Sequence, residues 1–159
     1  MNSYLSKSST FVKIATIGTL ILLTLILISL FVSNNQYGMI GGIVLTILTV
    51  GTTIYFYANS LNKINVGKDY LTLKKNFGQI KIPKNEIIGI TKLKYSNLTM
   101  TYGSKGIFGF VGNTMDNSYS LVKDRKNMVK ISTKNKKYII SCDEPDKLVS
   151  EIKTLYNIV

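Results

Sequence analysis

The chain has 159 residues, a net charge of +12, one cysteine and no histidine. A single cysteine excludes an intrachain disulfide, and the lack of histidine removes the commonest general base and the commonest metal ligand. The length leaves room for one small domain besides a membrane part.

Met1–Thr10 is short and polar. The stretch from Ile14 to Asn62 then contains no Asp, Glu, Lys or Arg. It holds two apolar runs, Ile14–Val32 and about Met39–Ala58, parted by the polar, uncharged link 33–38. At about 1.5 Å per helical residue, each run reaches about 28–30 Å, the thickness of the bilayer hydrocarbon. A secretory signal has a shorter apolar region of about 7–15 residues and a small-residue cleavage site, so the first run is expected to stay as a span. In the second run Gly38, Gly42 and Thr46 recur every four residues. Small residues at that spacing let helices approach, either within the hairpin or between two copies. Tyr55 and Tyr57 close the run, where aromatic side chains favour the membrane interface.

Lys7 and Lys13 precede this hairpin, Lys63, Lys68, Lys74 and Lys75 follow it, and the link has no charge. The positive-inside rule then places both termini in the cytoplasm. The expected division is a cytoplasmic N-terminus at 1–13, a hairpin at 14–60 and a cytoplasmic domain at 61–159.

The domain reads as mostly strand. Leu61–Val66 and Tyr70–Lys75 flank the turn Gly67-Lys68-Asp69, and Leu71 and Leu73 alternate with Thr72 and Lys74. Phe77–Ile82, Glu86–Lys94 and Asn97–Tyr102 follow. Gly103–Asn113 is glycine-rich and aromatic and is expected to form a tight or bulged loop. Met115–Lys123, Asn127–Thr133 and Lys137–Cys142 are further strands. The period then changes: Leu148, Val149, Ile152, Leu155 and Tyr156 recur at helical spacing, with Asp143 or Ser141 as a cap and Pro145 near the start. The sum is about seven short antiparallel strands, a barrel or sandwich, capped by one amphipathic C-terminal helix.

Catalytic chemistry is sparse. No Gly-Lys-Ser or Gly-Lys-Thr closes the glycine-rich segment, so it is not a phosphate-binding P-loop. Asp143, Glu144 and Asp146 are acidic residues at a helix start, where negative charge is favourable, and no convergent metal set accompanies them. Cys142 ends an apolar strand and reads as a small buried residue. No enzyme activity, cofactor or metal is expected. Two features remain as candidate surfaces. Phe108 and Phe110 could stand exposed and dip into the bilayer or a partner. Lys123, Arg125, Lys126, Lys130, Lys134, Lys136 and Lys137 form the densest basic run. They could dock anionic lipid headgroups, or stay solvated and protect sheet edges. Nucleic acid is not an expected partner.

The order of elements resembles a pleckstrin-homology (PH) fold, and the residues resemble bacterial PH-domain proteins that carry two spans before the domain. The likeness is carried by Tyr70-Leu71-Thr72-Leu73 with Phe77-Gly78 and Ile82-Pro83, by Gly106–Asn113, and by Ile139-Ile140-Ser141 before Asp143-Glu144-Pro145. It implies a PH-like domain on a two-helix transmembrane hairpin in a bacterial inner membrane, and no particular activity. PH domains that hold phosphoinositides use a basic cluster in the first hairpin loop, whereas Gly67-Lys68-Asp69 has one lysine beside an acid. The expected role is a membrane-anchored, non-enzymatic binding or scaffold module for a protein partner, or for itself. The alternatives are an anionic-lipid sensor or envelope-protection protein, as the resemblance allows, and an accessory subunit of a transporter.

Overall fold

The charge-free stretch folds as two long helices, α1 (Thr10–Val32) and α2 (Gln36–Asn59). The computed structural model describes residues 2–33 and 35–158, so Asn34 of the link, Met1 and Val159 lie outside the described residues. Each helix starts earlier than its apolar run because a polar side chain caps it. The Val12 N–H donates to Ser9 Oγ at 3.4 Å, and the Tyr37 N–H donates to Asn35 Oδ1 at 2.9 Å. Gln36, Tyr37 and Gly38 therefore belong to α2 and not to the link. Both helices are long and apolar enough to cross a membrane, and only 6% of the most apolar window of each is buried within the chain. Apolar surface left this open is what lipid would cover.

Two of the small residues of α2 lie against the other arm of the hairpin and the link. A β-carbon on Gly42 would fall 3.1–3.3 Å from the Phe31 ring of α1, and Gly38 lies against Ser33 and the Leu30 carbonyl. Thr46 Oγ1 donates to the Gly42 carbonyl at 2.7 Å. Gly42→Ile is expected to displace Phe31 and destabilise the full-length protein by about 1–3 kcal/mol. Thermal unfolding in detergent would check this, and an unchanged midpoint would mean that the Phe31 contact carries no energy.

Two sheets follow. In the first, β1 (Asn2–Leu5), β2 (Leu61–Val66), β3 (Tyr70–Lys75) and β4 (Gln79–Pro83) lie in that order, all antiparallel. The N-terminal segment thus contains a strand, with Asn2 opposite Val66 and Leu5 opposite Lys63. The second sheet contains β5 (Ile87–Leu93), β6 (Met100–Gly106), β7 (Gly109–Thr114), β8 (Ser118–Val122), β9 (Met128–Thr133) and β10 (Lys137–Ser141). Their spatial order is β5-β9-β10-β8-β7-β6. The β9–β10 hairpin inserts between β5 and β8, so β8 and β10 run parallel in an otherwise antiparallel sheet. Gly103–Asn113 is not a loop: it is most of the β6–β7 hairpin, whose turn is Ile107-Phe108.

Apolar side chains between the sheets form the main core, including Leu61, Leu73, Leu121, Ile131 and Ile140. The helix α3 (Pro145–Tyr156) closes it with Leu148 and Ile152, while Leu155 stays exposed. Neither expected cap serves α3: Asp143 pairs with Lys7 at 2.6 Å, and Ser141 Oγ accepts the Lys123 N–H at 2.8 Å. Glu144 stands at the cap position without a capping hydrogen bond from its side chain, and Pro145 begins the helix, where its missing N–H costs nothing. A second cluster, Val12, Leu98, Met100, Phe110, Val122, Met128 and Ile139, lies on the other face of the six-stranded sheet. Adjacent apolar pairs such as Leu121-Val122, Met128-Val129 and Ile139-Ile140 therefore serve two cores, one residue to each face.

Candidate functional site

The second core contains Val12, which belongs to the first turn of α1, so the hairpin is built into the domain. The β6–β7 turn reaches between the two helix bases. The Phe108 N–H donates to Thr16 Oγ1 at 2.8 Å, and the Phe108 carbonyl accepts from Ser60 Oγ at 3.0 Å. Phe108 adopts φ 56°, an uncommon conformation for a non-glycine residue, and these bonds from both helix bases hold it there. Its ring meets Tyr57 edge-on at 6.0 Å. Phe110 stacks on Phe11 at 6.4 Å and is only 7% exposed. The expectation of two exposed aromatics is thus corrected. Phe110 faces the second core because alternation along β7 sends Val111 into the first, and Phe108 is half-buried at the helix bases.

More bonds tie the same junction. The Phe77 N–H donates to the Ala58 carbonyl and the Ser9 N–H to the Lys123 carbonyl, at 2.9 and 3.0 Å. Lys75 Nζ donates to Asn59 Oδ1 at 2.8 Å, and Asn76 Nδ2 to the Tyr57 carbonyl at 2.9 Å. α2 ends at Asn59 and β2 begins at Leu61, so only Ser60 separates them. Because β1 and β2 pair at this end, the N-terminal strand and the domain lie on the same side of any bilayer the hairpin crosses. Phe11, Thr16, Ser60 and β1 escaped sequence reasoning. A phenylalanine one turn ahead of the apolar run was the only sign of the docking.

The basic run does not form one surface. Lys123 Nζ turns inward to the Leu61 carbonyl at 2.9 Å, and burial lowers its pKa. Arg125 lies under Tyr95, with its guanidinium carbon 4.1 Å from the ring centre, and donates to the Tyr95 and Leu98 carbonyls, both at 3.0 Å. Lys130 pairs with Asp116 at 2.5 Å. Burial alone would raise the Asp116 pKa, but hydrogen bonds from Lys130, Thr114 and Ser118 outweigh it and hold the carboxyl well below the usual range. Lys126, Lys134, Lys136 and Lys137 are exposed. Of these, Lys136 and Lys137 join Lys75, Tyr119, Tyr138 and Asn113 around a cavity of about 430 Å³ between the two sheets. Burial raises the pKa of Tyr119 and Tyr138, with small additions from Tyr55 and Glu86 respectively, so both hydroxyls stay protonated donors.

The acidic trio is dispersed as well. Asp143 pairs with Lys7, Glu144 with Lys147 and Asp146 with Lys92. Among the described residues no three His, Cys, Asp or Glu side chains converge as a metal site. Cys142 is buried, and desolvation pushes its thiol up to about 11. At pH 8 about one molecule in a thousand would then carry the reactive thiolate. Iodoacetamide at pH 8 is expected to spare the folded full-length protein and to label it fully in denaturant. Labelling of the folded protein at the rate of a free cysteine would contradict this burial.

Two sheets packed face to face and closed by a C-terminal helix define a PH-like sandwich, here following two helices fit to span a membrane. Residues 62–156 match the family model described as a bacterial PH domain, and the chain belongs to that family. No curated protein and no solved structure matches the chain.

Proposed function

We propose that the protein is a non-enzymatic binding module of a bacterial inner membrane, whose cytoplasmic PH-like domain is offered to an acidic protein partner. The observation that carries this reading is the junction just described: main-chain and aromatic contacts from both helices hold the domain in one orientation. A fixed domain presents the same face to every partner that approaches the membrane. The concave face on offer is lined by Lys75, Lys136, Lys137, Tyr119 and Tyr138, with no carboxylate among its lining residues. Those groups donate hydrogen bonds and positive charge, which complement a carboxylate-rich segment. The cytoplasmic side follows from lysines on both flanks of the hairpin and an uncharged link. A non-catalytic role agrees with the family and with a chain that has no histidine and one buried cysteine.

Photo-crosslinking of the full-length protein in its own membranes tests the reading. A crosslinked protein partner that is lost in the Lys136→Glu/Lys137→Glu double variant, and kept in Lys84→Glu on another surface, is the expected result. Crosslinks to lipid and to nothing else, or a partner indifferent to the double reversal, would defeat it. Protease added outside intact cells should leave the domain whole.

A further inference from the structure

The crevice at the base of the hairpin holds a cation without a counter-charge. Lys123 is half-buried there, donates one hydrogen bond to the Leu61 carbonyl and has no ion pair among the described residues. An ammonium has three donors, so two remain for another acceptor. Burial lowers its pKa, and no neighbouring charge acts against that. Asp124 follows it in sequence, but that carboxylate accepts from the Lys126 N–H at 2.9 Å and from Asn127 Nδ2 at 2.8 Å. A desolvated charge is costly unless something pairs with it.

The other charged residue that lines the crevice is also a cation. Lys13 lines the same space of about 240 Å³, together with Ser8, Ser60 and Asn76, and no acidic residue lines it. Lys13 is also the last charge before Ile14–Asn62. In a spanning hairpin this is the depth at which hydrocarbon gives way to lipid phosphates. Apart from Thr16 the remaining wall is Val12, Ile17, Tyr57 and Phe108, and Ile17 leads onto the exposed apolar side of α1 at Ile21.

We propose that this crevice binds the phosphate of one anionic phospholipid, with Lys13 and Lys123 as its counter-charges and the acyl chains lying along α1. Asn76 and the Ser8 hydroxyl border the headgroup. The lipid then neutralises the half-buried Lys123 ammonium and bridges α1 to the β8–β9 connection. This site is separate from the Lys136–Lys137 cavity and stands or falls without it.

Native mass spectrometry of the full-length protein in detergent, titrated with phosphatidylglycerol or phosphatidylcholine, tests the proposal. One phosphatidylglycerol retained per chain, with phosphatidylcholine lost, is expected. Lys13→Gln and Lys123→Met should each weaken retention about fivefold, and Lys136→Gln should leave it unchanged. Lys13 is exposed outside the domain core, so its variant keeps the test decisive if Lys123→Met fails to fold. Equal retention of the two lipids, or indifference to Lys13→Gln, would overturn the proposal. So would displacement of phosphatidylglycerol by glycerol phosphate at similar concentration, which would mark a soluble phosphate site.

Discussion

Gly112→Ala is expected to cost about 3–5 kcal/mol, a large share of the stability of a domain this size. Gly112 faces Gly103 across the β6–β7 ladder, with φ of 144° and 116°. These are conformations that a residue with a β-carbon adopts only under strain. Space compounds the strain. A β-carbon on Gly112 would lie 2.8 Å from the Gly103 Cα and 3.0 Å from the Tyr102 carbonyl carbon, and one on Gly103 would meet Gly112 in the same way. The obstacle is backbone on both sides, so relief requires the ladder itself to part. The β6–β7 turn then loses its aim at Thr16 and Ser60, and the damage spreads to the hairpin junction. The full-length protein in detergent should melt about 10 °C lower or more, read by circular dichroism. A drop under about 2 °C would contradict the close approach of the two strands. Gly103→Ala should resemble Gly112→Ala, and the double variant should cost less than the sum, since either change opens the same ladder.

Phe110→Ala is the second large effect, at about 3–5 kcal/mol from lost burial and the cavity left behind. Phe110 fills the space between Phe11 of α1, Arg125 and the apolar side chains of β6, β8, β9 and β10. Its removal loosens Arg125, whose Nε is buried without a hydrogen-bond partner among the described residues and depends on the packing around it. Phe108→Ala should cost less, about 1–2 kcal/mol, because its ring is half-buried while its main-chain bonds to Thr16 and Ser60 do not need the side chain. Phe110→Leu should recover much of the loss. Melting temperatures of the four proteins give the order, and Phe108→Ala proving the more damaging would contradict the placement of the two rings.

The hairpin and α3 were legible in the sequence because each has one dominant signal. An unbroken lack of charge marks the hairpin, and a helical stripe at Leu148 and Ile152 marks α3. The β6–β7 hairpin was not legible, since glycines at 103, 106, 109 and 112 look like loop residues. The cross-strand match of Gly103 with Gly112 shows that these two let the backbones close, while Gly106 lies against the Phe11 ring. β1 was hidden by composition: Asn-Ser-Tyr-Leu is short and polar, as suits an edge strand, and its partner lies beyond two long helices. The basic run misled by proximity in sequence. Lys123, Arg125 and Lys130 each find a separate site, because β8 and β9 are not neighbours in the sheet.

The pairing of β1 with β2 also governs the order of assembly. β1 is synthesised before β2, the strand it pairs with among the described residues, and β2 follows both long helices. Its outer contacts come later still, since the Asp143 N–H donates to the Leu5 carbonyl and Tyr4 bonds Glu151. The N-terminal strand must therefore wait, unpaired, until β2 has been made, and its outer contacts wait until α3 has been made. Contacts of such sequence separation are slow to form. A chain whose hairpin goes into the membrane with one helix astray would strand β1 on the opposite face, leaving the edge of β2 open and the domain one strand short. If the hairpin spans a membrane, correct insertion is thus a condition for a complete four-stranded sheet, and a misinserted chain would expose the edge of β2, a feature by which quality control and aggregation alike recognise failure.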